Sequence, residues 1–256
     1  MVTTGARPTG NALLDMLPRR GRLEFVNACE RVALSIGEPI CQPGEVIRHI
    51  YFPTSGYISL ITPPGVGESL EVGLIGHEGS FGLTVLLDIT TSSLLGLTQG
   101  DGSALRISPE QLRRRVNESP QLRKVVHRYL FVLMAQVAQT AACSRFHRLE
   151  ARMARWLLMT HDRALGDVFR LTHVFLAHML GVRRAGVTTA ARRLHDDKLI
   201  SYSRGVVKVL NRKGLESLSC PCYQAFNEMY KTHLMNGHDR ALPRTRKASA
   251  GRTMKG

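Results

Sequence analysis

The chain has no apolar run approaching the roughly 20 residues that a membrane-spanning helix requires, and Met1 to Gly21 carries no apolar core of a secretory leader. The expected compartment is the cytoplasm. Cysteine is sparse: Cys29, Cys41, Cys143, Cys220 and Cys222 are odd in number and scattered, which suits reduced thiols better than a disulfide framework. No N-terminal cysteine cluster is available to an iron–sulfur centre. The one close pair, Cys220-Pro221-Cys222, has the chemistry to bind a metal or sense redox state, but no second cysteine pair at zinc-site spacing accompanies it, so no metal is expected there. Enzyme signatures are missing too. Gly76-x-x-Gly79-x-x-Gly82 lacks the Lys-Ser/Thr of a phosphate-binding loop, and position 81, where a metalloprotease helix would repeat His77, is Phe. The histidines are dispersed, with His173 and His178 expected on a helix surface. No catalytic residue and no cofactor is expected.

Positive charge, by contrast, is abundant. Lys plus Arg number 35 against 20 Asp plus Glu, a formal net charge of +15. The excess is lopsided: Met1 to Glu110 holds 7 basic and 11 acidic residues, Gln111 to Gly256 holds 28 and 9. A mildly acidic front and a strongly basic back imply two domains, with a polyanionic partner for the second.

Leu171 to Ile200 supplies the most specific pattern. Thr172 is a candidate N-cap, and Leu176, Ala177 and Leu180 form a buried stripe of a first short helix. Gly181 supplies a tight turn, after which Val182 re-enters the core. In the second helix Val187, Ala191 and Leu194 face inward, leaving Arg184, Ala185, Thr188, Thr189 and Arg192 outward. Solvated arginine is the bland explanation of such a face. Against it, Arg183 and Arg184 stand at a helix N-terminus, where the macrodipole disfavours positive charge. Leu199 to Tyr202 and Val206 to Val209 flank Ser203-Arg204-Gly205 as a hairpin, a wing behind a recognition helix. Double-stranded DNA is therefore the expected partner. Arg183, Arg184, Thr188 and Thr189 would reach base edges, with Thr172, Arg192, Arg204 and Lys208 on the DNA backbone.

From Ile36 to Ile107, turn chemistry separates short β-branched runs, indicating a small sandwich or barrel. Expected strands cover 46–52, 57–62 and 69–74, with turns at Cys41 to Glu45, Pro53 to Gly56 and Pro63 to Gly67. Leu13 to Arg31 reads as helical. Ser108-Pro109-Glu110 starts a helix reaching about Asn117. A long helix then spans Pro120 to about Phe146. Its Leu122, Val126, Tyr129, Leu133, Gln136, Thr140 and Cys143 follow steps of four and three, a seam expected to join two copies in a parallel homodimer. Leu130, Met134, Val137 and Ala141 add a flanking apolar line. The expected division is a lead over 1–20, a β domain over 21–118, the dimer helix over 119–147, the DNA-binding domain over 148–235, and a basic disordered tail over 236–256.

This order of parts resembles the cyclic-AMP receptor and fumarate-nitrate regulator (Crp/Fnr) superfamily of bacterial transcription regulators. Tyr51 to Gly56, Gly76-His77-Glu78-Gly79 and Leu171 to Ile200, with Leu180-Gly181-Val182-Arg183-Arg184, carry the likeness, over roughly Leu13 to Tyr230. It implies an α+β fold: an N-terminal double-stranded β-helix (a cyclic-nucleotide-binding-like jelly roll), a dimerisation helix and a C-terminal winged helix-turn-helix. It also leaves room for RNA polymerase as a protein partner. In nucleotide-binding members a Gly-Glu segment and a later Arg before Ser or Thr form the phosphate-binding cassette, the arginine pairing with the cyclic phosphate and the glutamate binding the ribose hydroxyl. Here Gly76 to Gly82 resembles the first element, but Asp88 to Leu95 contains no basic residue. A degenerate effector pocket around Gly76, Glu78, Gly79, Ser92 and Ser93 follows, with Glu78 a turn residue and the small effector unidentified. The rival reading is a ligand or redox sensor acting through protein contacts, binding nucleic acid only non-specifically.

Overall fold

A computed structural model describes residues 9–63, 65, 68–164 and 166–235. The tail expectation and the turn at Pro63 to Gly67 fall wholly or largely outside them. Two short helices lead, α1 (Ala12–Asp15) and α2 (Arg19–Asn27), separated at Pro18. The expected continuous helix from Leu13 to Arg31 is thus broken, because proline cannot donate an intrahelical hydrogen bond, and its last residues already belong to a strand. Asn11 anchors this lead. Its side-chain oxygen accepts from the Leu13 and Leu14 amides while its Nδ2 donates to the carbonyls of Pro53 and Gly79.

One antiparallel sheet follows, from β1 (Glu30–Leu34), β2 (Pro39–Cys41), β3 (Ile50–Thr62), β4 (Leu70–Ile75) and β5 (Leu95–Ile107). Its order is β1-β5-β3-β4, with β2 also paired to β5. The turn expected at Pro53 to Gly56 is not one. β3 passes straight through it with three register shifts against β5. Side-chain hydroxyls stand in for the interrupted ladder: Thr54 Oγ1 donates to the Ser103 carbonyl and Ser55 Oγ accepts from the Ser103 amide. Gly56 takes φ +71°, which a bulge tolerates at glycine. A short 3-10 helix, Leu83–Leu87, lies between β4 and β5.

Ser108 caps α3 (Pro109–Glu118) and Ser119 caps α4 (Pro120–Phe146), each with proline at the helix start. α4 lies against β4 and packs on the helix Cys222–Tyr230. This overturns one expectation about α4. Leu122, Val126, Tyr129, Gln136, Thr140 and Cys143 are buried by the chain's own residues, and Leu133 is half-buried. Gln136 Nε2 donates to the Leu74 carbonyl. A Cβ on Gly79 would overlap the Tyr129 ring, so that glycine lets α4 approach the sheet. A 3.5-residue periodicity states that one face is buried, not by what. The large apolar positions left open are Phe131, Met134 and, at the helix end, Phe146, with half-buried Leu130 and Val137 and exposed Ala138 and Ala141 near the first two.

The second half comprises α5 (Leu149–His161), β6 (Val168–Arg170), α6 (His173–Leu180), α7 (Arg184–Asp196), β7 (Ile200–Ser203), β8 (Val206–Val209), α8 (Arg212–Leu218) and α9 (Cys222–Tyr230). A π-helical turn, Lys231–Met235, ends the described chain. β6, which the sequence pattern did not reveal, completes a three-stranded sheet ordered β6-β8-β7. Arg212 ties this half together, bonding Asp162, Glu216, His161 and the Tyr223 hydroxyl. The buried side chains of the sheet, α4 and the second half form one continuous core.

Candidate functional site

The helix-turn-helix is built as its residues dictate. The Phe175 amide donates to Thr172 Oγ1 at 3.1 Å, capping α6. Gly181 closes α6 with φ +61°. Val187, Ala190, Ala191 and Leu194 bury the inner face of α7. Arg183, Arg184, Ala185, Thr189 and Arg192 stand exposed on one basic face. No side chain caps the N-terminus of α7, which leaves Arg183 and Arg184 at its tip. Behind it, Ser203 pairs with Val206 around a two-residue turn in which Arg204 and Gly205 have φ +48° and +76°, a type I′ hairpin. Arg204 and Lys208 project from that wing into solvent.

Two residues behave differently from the sequence expectation. Thr188 is half-buried, and its hydroxyl is engaged by the Arg184 carbonyl at 3.1 Å and His173 Nδ1 at 3.0 Å. His173 is no idle surface residue: its ring stacks on Tyr202 with centroids 4.3 Å apart. It thus links the first helix of the motif to both the recognition helix and the wing. Burial, then the neighbouring Arg184 charge, lowers its pKa and favours the neutral ring. His178 is exposed, as expected.

The effector region divides in two. A cavity of about 240 Å³ lies between the sheet, the 3-10 helix and α4. Ser92 and Ser93 line it, together with apolar groups such as Ile47, Phe81, Leu130 and Leu133. No lysine or arginine is among its lining residues. Gly76, Glu78 and Gly79 are not part of it, which corrects their assignment to the pocket. Their turn instead faces the second half of the chain. Glu78 accepts from its own turn at the Gly76 amide and from Arg163 Nε at 2.7 Å, an ion pair whose arginine is almost wholly buried. The Tyr230 hydroxyl donates to the Glu78 carbonyl. Sequence reasoning missed this partner because Arg163 lies 85 residues away. Nearby, Glu71 is buried between Ser59 and Trp156. A larger cleft of about 520 Å³ separates β4 from the helix-turn-helix, lined by Leu70, Arg152, His178 and Arg183 among others.

The expectation that Cys220 and Cys222 stand alone is also corrected. The fold brings Cys143 and His147 to them, because the start of α9 packs on the foot of α4.

An antiparallel sheet domain joined through one long helix to a winged helix-turn-helix with an exposed basic recognition face is the architecture of a DNA-binding transcription regulator. Residues 151–218 match the Crp-like helix-turn-helix domain family. The cyclic AMP receptor protein of Thermus thermophilus is 25% identical over 187 residues, 72% of this chain and 85% of that protein. Among solved structures, FixK2 from Bradyrhizobium japonicum superposes with a TM-score of 0.64 at 16% identity, covering 75% of this chain and 98% of that one. A Crp-family transcriptional regulator from Thermus thermophilus gives 0.62 at 20% identity, with 73% and 96% covered. The fold is that of these two structures, and the helix-turn-helix half carries the Crp-like domain over residues 151–218. Among the described residues no helix is long and apolar enough to cross a membrane.

Proposed function

We propose that the protein acts in the cytoplasm as a homodimer that reads a two-fold symmetric DNA site through α7. Arg183, Arg184 and Thr189 meet base edges, while Arg192, Arg204, Lys208 and the first turn of α6 at Thr172 meet phosphates. Thr188 serves instead to hold α7 against His173. The single observation behind this reading is the uncapped, doubly arginine-tipped N-terminus of α7, exposed beside a basic wing. Folding alone would favour an acidic or hydroxyl residue there. The dimer contact is the open line of α4 through Leu130, Met134, Val137 and Ala141, with Phe131 at its side, rather than the seam buried by the chain itself. RNA polymerase is the further partner such a regulator would engage.

The relative from Thermus thermophilus is named for cyclic AMP. In this chain the corresponding small cavity has no cation for a cyclic phosphate, and its volume is below the roughly 300–1,000 Å³ of ordinary ligand sites. Its effector is a small apolar molecule with one or two hydrogen-bonding groups for the serines.

Selection of bound sequences from a random DNA pool tests the function. The expected result is an enriched palindrome whose half-sites lie about 10 base pairs apart, one helical turn. Binding without any enriched sequence would overturn the reading and favour a sensor that touches nucleic acid non-specifically.

A further inference from the structure

One cluster of metal-ligating side chains takes no part in the DNA-binding face or the effector cavity. Cys143 lies on the last turn of α4, His147 ends that helix, and Cys220 and Cys222 flank Pro221 at the start of α9. One donor atom from each of the four lies within 4.8 Å of all the others. Cys143 Sγ is 3.5 Å from Cys220 Sγ, and Cys222 Sγ is 3.4 Å from His147 Nδ1. With zinc–sulfur bonds near 2.3 Å and zinc–nitrogen bonds near 2.0 Å, adjacent donors of a tetrahedral site stand about 3.5–3.8 Å apart. These two separations lie within a few tenths of an ångström of the edges of such a tetrahedron. We propose that Cys143, His147, Cys220 and Cys222 form a structural Cys₃His zinc(II) site that staples α9 to the foot of α4.

The surroundings fit that cation. Three thiolates and a neutral imidazole around zinc leave one net negative charge, which a buried site must balance. Arg152 and Arg155 are both buried beside it, each close enough to interact electrostatically with Cys143, and Arg155 Nε has no hydrogen-bond partner among the described residues. Gln139 Nε2 donates to Cys222 Sγ at 3.0 Å, the outer-shell bond that orients a thiolate ligand. Soft sulfur donors select against magnesium and calcium. An iron–sulfur cluster would insert several atoms between its ligands and needs them farther apart than these. The three cysteines also form a small buried group apart from the main core, with Ala151 the one apolar residue packed on it among the described residues. So little apolar surface contributes little to holding the junction, whereas metal–ligand bonds hold it strongly.

Its position gives the site a consequence. Only His147 and Arg148, both extended, separate α4 from α5. Zinc bridging α4 to α9 fixes the angle between the long helix and the DNA-reading domain.

The test uses the full chain, purified under reducing conditions and titrated with zinc(II) or cobalt(II) alone. One cation per chain should survive desalting. Cobalt should give visible ligand-field bands with thiolate charge transfer, erased by added zinc. Zinc should protect three of the five free cysteines from a thiol reagent under native conditions. Cys222→Ser and His147→Ala should each lower retained zinc, while His147→Cys should restore binding with a shifted cobalt spectrum. If those variants fail to fold, the unmutated protein's cobalt spectrum and thiol protection decide alone. No tetrahedral cobalt spectrum, no zinc-dependent protection, or a Cys143–Cys220 disulfide in place of bound metal would overturn the proposal.

Discussion

The indole Nε1–H of Trp156 donates a 2.8 Å hydrogen bond to Oε1 of Glu71, joining α5 of the DNA-binding half to β4 of the sheet across 85 residues. Ser59 donates to the other carboxylate oxygen. Burial pushes the Glu71 carboxyl up to about 7, opposed by those two hydrogen bonds and by the charges of Arg155 and Arg163.

That buried carboxyl sets a pH dependence. Its folded-state pKa lies above the ordinary value of 4.5, so its protonated form is the one the fold prefers. The stabilisation is complete below about pH 4.5 and is lost as pH rises through about 7, on the order of 3 kcal/mol in all. Glu71→Gln keeps an acceptor for Trp156 and removes the titration. Thermal melts from about pH 5 to 8 should show this contribution in the parent and its absence in the variant. Identical pH profiles would refute the assignment.

Arg163 and Glu78 make the second bridge between the halves. Removing one member of a buried pair strands the other charge, at a cost of roughly 3–5 kcal/mol. Arg163→Met should therefore lower the unfolding midpoint far more than Arg20→Met, whose exposed partner Glu24 contributes little. Chemical denaturation of both variants makes the comparison.

The two faces of α4 separate folding from the proposed assembly. Val126 is wholly buried within the chain, so Val126→Asp should cost several kcal/mol of stability by burying an unpaired charge. Met134 is 64% exposed, so Met134→Asp should leave the monomer's melting intact and weaken the dimer. Sedimentation velocity reads the second effect. A Met134→Asp protein that stays dimeric would move the interface elsewhere.

On DNA, Arg184 and Arg204 should fail differently. Arg184→Ala is expected to cost about 1–3 kcal/mol per half-site and to relax one symmetric base position. Arg204→Ala, at the wing tip, should weaken every sequence alike and reduce the salt slope by about one ion per half-site. Titrations on the selected site, its point mutants and random DNA at several salt concentrations distinguish them. Equal, sequence-independent losses would make Arg184 a phosphate contact.

Cyclic AMP or cyclic GMP should change neither the melting temperature nor DNA affinity, since the cavity offers the phosphate no cation. A ligand at a hundredfold excess over its dissociation constant would stabilise the fold by about 2.7 kcal/mol. A clear upward shift in differential scanning fluorimetry would contradict this.

Features decided within a few residues of chain were legible in the sequence. Ser108 and Ser119 cap the helices that follow them, Gly181 turns α6 into α7, and Arg204-Gly205 closes the wing, because capping and positive φ are local chemistry. The inward residues of α7 were equally readable from their spacing. Tertiary structure alone decided what each buried face meets. The periodicity of α4 could not say that its seam lies against its own sheet and α9 instead of a second copy. Nor could spacing reveal that Glu78 turns to Arg163, Glu71 to Trp156, or Cys220 and Cys222 to Cys143 and His147. Each of those pairings joins residues more than 70 positions apart. Their partners are set by how the sheet, α4 and α9 pack, and no local propensity encodes that.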